Sequence, residues 1–186
     1  MLRSTWESCN IMLDDCNYLK LNYKITLSND GKYRFISIVL RAGKFVIGNP
    51  DAISILGLIE GEAEKIIKSL LDIKIKNNSD IIIYSIPEID LDELFECCFE
   101  HILGGNLDDA RMNKHKNIIE RTALSIPFAN ECFDGNVGFL SYLGKNNGLL
   151  FWRDFESMKT RSLIVDYSMY IKIWEEFIAH ANCQSI

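Results

Sequence analysis

From Leu19 to Leu27 the chain alternates: Leu19, Leu21, Tyr23, Ile25 and Leu27 against Lys20, Asn22, Lys24 and Thr26. A period of two predicts a half-buried β-strand. Ser28-Asn29-Asp30-Gly31 follows, and Asp-Gly is a hairpin signal because such turns need positive φ. A second strand returns over 32–40, Ala42-Gly43-Lys44 turns the chain again, and Phe45–Ile47 is a short third strand. The opening is therefore a β-meander.

The period then lengthens. Ala63, Ile66, Ile67, Leu70 and Leu71 share one face of a helix near 60–72. An apolar run over 80–84, between turn-like Asn77-Asn78-Ser79 and Pro87, reads as a buried strand. Asp90 is a good N-cap for the next helix, with Glu93 placed like the partner in a capping box. Leu91, Leu94, Phe95, Cys98 and Ile102 form its apolar stripe, and Gly104-Gly105 stops it. Residues 106–116 read as an exposed loop or short helix, and 122–126 as a strand ended by Pro127. Strands over 137–143 and 149–152 flank a five-residue loop, Gly144 to Gly148, and 162–165 extends the same sheet. Asp166 caps a last helix whose stripe is Tyr170, Ile173, Trp174, Phe177, Ile178 and Ala181. Strands arranged in hairpins, without βαβ alternation, predict an α+β class: a mainly antiparallel sheet with three to four helices packed on one face, all in one domain over 1–186.

Composition adds exclusions. The 186 residues are 48% hydrophobic and 25% charged, the mix of a globular domain with a core of its own. No apolar run reaches the roughly 18 residues of a membrane span, and the first residues carry no apolar signal core, so a cytoplasmic location is expected. The six cysteines then read as reduced thiols, and no C-x-x-C occurs.

The net charge of −6 is unevenly spread. Residues 1–50 hold seven basic and four acidic side chains, residues 51–109 four and fourteen, and the remainder nine and eight. Between 88 and 109 stand eight acids and no Lys or Arg. Asp92, Glu96 and Glu100 recur every four residues on the predicted helix, a like-charge spacing that costs roughly 0.2–0.5 kcal/mol per pair in an isolated helix. Either a basic segment nearby, such as Arg111, Lys114 and Lys116, neutralises the row, or it awaits a basic partner. On the second reading Asp92, Glu93, Glu96, Glu100, Asp108 and Asp109 form a partner-binding face.

Few patterns in the chain carry chemistry. Cys97 and His101 lie one helical turn apart, but zinc needs three or four ligands, so no metal or cofactor is expected. No nucleophile elbow and no phosphate loop occur. The basic residues near 111–121 lack interleaved aromatics, so no direct nucleic-acid binding is expected.

The order of elements, with Ile47-Gly48, Phe133-Asp134-Gly135 and Phe151-Trp152-Arg153 as local anchors, resembles the immunity proteins of bacterial polymorphic-toxin and contact-dependent growth-inhibition systems. Asn49 stands where an acid would be expected after Ile-Gly. The resemblance implies a cytosolic, non-catalytic inhibitor that binds the toxic domain of a cognate effector, often a nuclease with a basic cleft. Two alternatives remain beside it: a small enzyme whose site is assembled from distant residues, and an adaptor or subunit with an apolar contact face.

Overall fold

The computed structural model describes residues 7–11, 18–77, 90–104, 109–154 and 156–183, with residues 7–11 and Asp109 described through their backbone alone. The strand expected over 80–84 lies outside the described residues. The protein is α+β with antiparallel strands, as the hairpin pattern predicts, but its described strands form two sheets.

The first sheet runs β1 (Glu7–Ile11), β2 (Leu19–Leu27), β3 (Arg34–Ala42), β4 (Phe45–Ile47), with the short β5 (Ser54–Ile55) also pairing with β3. In register, Leu21 faces Leu40 and Tyr23 faces Ile38, so this face of the meander is apolar and buried from Leu19 to Tyr23, but it opens at the far end, where Leu27 opposite Arg34 is 64% exposed. The second sheet runs β6 (Thr122–Leu124), β7 (Asn136–Gly144), β8 (Asn147–Asp154), β9 (Lys159–Asp166). Helices α1 (Leu56–Lys76) and α4 (Tyr167–Cys183) pack on each other and touch both sheets. Helices α2 (Leu91–Leu103) and α3 (Asp109–Ile119) pack together against the second sheet.

Helices on a single face are thus corrected to helices on both faces of the second sheet. Leu140, Tyr142, Leu150 and Trp152 point into a core shared with the first sheet, α1 and α4. Phe139, Leu149 and Phe151 point the other way, into a second core under α2 and α3. This accounts for the unbroken burial along β7 and β8, where a half-buried strand would alternate. It also explains why adjacent Cys97 and Cys98 are both buried: α2 is wedged between the sheet and α3.

The hairpin joining β7 and β8 is tighter than five residues. Its loop is Lys145-Asn146, at φ 47° and 64°, the doubly left-handed conformation of a two-residue turn. Asn146 fits that geometry and fastens the turn: its amide nitrogen bonds both Asp166 oxygens at 2.7 Å, and Lys74 donates to its Oδ1 at 3.1 Å. Asp166 in turn accepts from the Met169 N–H at 2.8 Å, the expected cap of α4.

Candidate functional site

Helix α2 carries the acidic row. Its start is set by Asp90, whose carboxylate accepts from the N–H groups of Asp92 (3.0 Å) and Glu93 (3.2 Å), and its end by Gly104 in the left-handed conformation. The apolar stripe seats Leu94, Phe95 and Cys98 on the second sheet, leaving the acids on the outer side. There the structure sets a cation against each of four candidate residues. Arg153 of β8 reaches Asp92 at 3.1 Å and also bonds Glu96. Glu93 meets Lys114, with His115 Nε2 at 3.4 Å, and Glu100 meets Arg111 at 3.3 Å. Helix α3, read as a loop or short helix, is the basic segment that answers the row. Asp109 opens that helix, and Asp108 lies outside the described residues.

Arg153 is the residue that sequence reasoning passed over as a charge partner. Its side chain is only 5% exposed, yet Asp92 and Glu96 remain 69% and 44% exposed. Its Nε donates to Thr160 Oγ1 at 3.0 Å, and its guanidinium lies 4.2 Å from the centre of the Phe95 ring. An arginine inside the apolar run of β8 was the available signal, because a buried guanidinium needs carboxylates close by. The electrostatic consequence is visible in the acids. The Thr160 hydroxyl, together with Arg153, holds the Asp92 carboxyl below its ordinary pKa. Lys114, and then His115, does the same for Glu93.

Cys97 and His101 do not converge: Cys97 is buried in the second core and His101 is exposed. Burial pushes the Cys98 thiol up to about 12, which leaves it protonated and unreactive at neutral pH.

The sequence anchors converge instead on a cleft of about 450 Å³. Gly48 and its neighbours form one wall, Asp134 and Gly135 another, and Trp152 lies at the base with Phe45 edge-on to it at 5.5 Å. Gly48 has a structural reason to be glycine. At φ +99° a Cβ there would sit 2.8 Å from the Cys132 carbonyl oxygen, the same atom that accepts from the Asn49 N–H at 2.7 Å. A second hollow, of about 250 Å³, lies between α1 and the segment after β6, walled chiefly by Ile66, Leu124, Pro127 and Phe128.

Among the described residues, no helix is long and apolar enough to cross a membrane. Compared with known proteins, the chain matches no family model, no curated protein and no solved structure.

Proposed function

We propose that this chain acts by binding another protein, as an immunity protein that neutralises the toxic domain of a cognate bacterial effector in the cytoplasm. The observation that supports this reading is the state of α2. Asp92 and Glu96 stay open to water, while the buried Arg153 beneath them fixes the helix that presents them. Pairing with Arg153, Lys114 and Arg111 offsets most of the row's charge, so what α2 offers a basic surface is a rigid, preordered set of exposed carboxylate oxygens, which lose little entropy when that surface docks. A toxic domain with a basic cleft, as nucleases have, is the matching partner.

The test is co-expression with the product of the adjacent reading frame. The expected result is protection of growth and a co-purifying complex whose association slows as salt rises, since exposed charges are screened within about 8–10 Å at physiological ionic strength. Charge reversal at Asp92 or Glu96 would also unseat Arg153. The milder variants are therefore Asp92→Asn and Glu96→Gln made singly, so that Arg153 keeps one carboxylate, and Glu100→Gln, each checked for folding by circular dichroism. Unchanged affinity and salt dependence in folded variants would remove α2 from the interface. Absence of both protection and complex would remove the function.

A further inference from the structure

The cleft at the meeting of the two sheets has a feature that the α2 ridge lacks. On α2 the acids Asp92, Glu93, Glu96 and Glu100 each face a cation of the same chain. At the cleft, Asp134, Asp154 and Glu156 line the walls, and none of them forms an ion pair with another described residue. Asp154 is held in place, accepting from the Glu156 N–H at 3.0 Å.

The floor beneath those acids is aromatic and already takes cations. The Arg161 guanidinium lies 4.7 Å from the centre of the Phe45 ring, and the Lys44 ammonium 5.5 Å. Arg161 meets this ring without a carboxylate partner among the described residues. An arginine that prefers a ring face over open water marks that face as a cation seat. The walls are stiff: the Asn49–Cys132 backbone bond and the crowded Gly48 hold one side, and the tight turn that bonds Asn136 N–H to the Phe133 carbonyl (2.9 Å) holds the other. The volume of about 450 Å³ leaves room for a side chain from outside.

We infer that this cleft is the seat for an arginine or lysine side chain presented by the protein partner, with Arg161 as the chain's own occupant of the seat in the free state. The incoming cation stacks toward Phe45 and pairs with the rim carboxylates, and Arg161 swings out as it enters. The inference rests on the proposed reading of the chain as an inhibitor of a basic toxic domain, and it supplies the specific contact that the α2 ridge does not.

The probe is N-acetyl-arginine amide, titrated into the full chain at low salt and followed by amide and indole proton–nitrogen NMR, with the uncharged N-acetyl-citrulline amide as control. Shifts are expected at Gly48, Gly135, Asn136 and the Trp152 indole, and to be absent with citrulline. Asp134→Asn combined with Glu156→Gln is expected to weaken binding about tenfold. Arg161→Ala is expected to tighten it about threefold, because a competing like charge is gone. All three are exposed or half-exposed positions, so folding is not at stake. Shifts centred on α2, an equal response to citrulline, or weaker binding by Arg161→Ala would each overturn the inference. A toxic domain neutralised equally well by wild type and by the Asp134→Asn, Glu156→Gln variant would also overturn it and leave the proposed function standing. Probe binding in the cleft of a chain that protects against no toxin would keep the seat and remove that function.

Discussion

Arg153 shows what one side chain decides. A guanidinium at 5% exposure is tolerable only because Asp92, Glu96, Thr160 and the Phe95 ring surround it. The dependence is unequal. The two carboxylates could stand in water without the arginine, but the arginine cannot stay buried without them. Asp92→Asn with Glu96→Gln should therefore destabilise the protein by about 1–3 kcal/mol in urea denaturation. That is less than the 3–5 kcal/mol of a wholly buried pair, because water still reaches these carboxylates. A change in midpoint within error would mean that the cluster contributes nothing to stability. Acid should act on the same groups. Asp92 and Glu93 have lowered pKa values in the fold, so the unfolded chain takes up protons first as pH drops. Their contribution is complete above the unfolded carboxylate values of roughly 3.9 and 4.3 and disappears as pH falls through the lower folded values. The urea midpoint is expected to fall below about pH 4.5, less steeply in an Asp92→Asn, Glu93→Gln variant. Equal slopes would show that other acids carry the effect.

Among the elements, the β7–β8 hairpin is the joint on which the second sheet depends. Its turn residue Asn146 combines a left-handed backbone with bonds to Asp166 and Lys74, and its carbonyl accepts from the Tyr167 N–H at 2.7 Å. It thus couples the turn to the start of α4 and the end of α1. Asn146→Ala removes both the side-chain bonds and the residue type that tolerates positive φ, and should cost about 1–3 kcal/mol. Asn146→Gly, which keeps the φ freedom and loses only the bonds, should cost less. Thermal melts of the pair separate the two contributions, and an alanine variant as stable as glycine would show that backbone strain is unimportant there. Helix α2 is a different kind of element: its two ends are fixed locally by Asp90 and Gly104, whereas its seat is set at long range, by its apolar stripe on the second sheet and by Arg153 reaching across from β8.

Over the whole molecule, two cores share one sheet. Trp152 and Trp174 belong to the core between the sheets, and Phe95, Phe139 and Phe151 to the core under α2. Because β7 and β8 feed both, loss of either core should strip the second sheet of half its burial. Unfolding is expected to be one cooperative transition, with tryptophan fluorescence and far-UV circular dichroism coinciding. Separated curves would mean that the α2–α3 layer opens on its own. The charge pattern has the same scale. The acid-rich segment folds so that its densest row meets Arg111, Lys114 and Arg153, while the cleft acids that pair with no described residue come from positions 134, 154 and 156, where the linear sequence looks balanced.

Local order was legible because it depends on local physics. The period-two pattern of β2, the Asp90 and Asp166 caps, the Gly104 stop and the stripe of α4 all follow from neighbours within a few residues, and each lies where the pattern places it, except that Leu27 at the end of β2 is exposed where the alternation would bury it. The α+β class with antiparallel hairpins follows as well. The number of sheets and the second core were not legible, since an apolar run such as Phe139–Leu140 does not say which of its two faces will be covered, or by what. Charge was legible only as a row; its partners lie 11 to 61 residues away, brought there by packing. The sequence alone therefore determined most of the described elements, β1 and β5 excepted, and the presence of an acidic helix. Tertiary structure decided that this helix is already paired and that three carboxylates with no ion pair among the described residues line one cleft with Phe45, because pairing depends on distances through space that no spacing along the chain encodes.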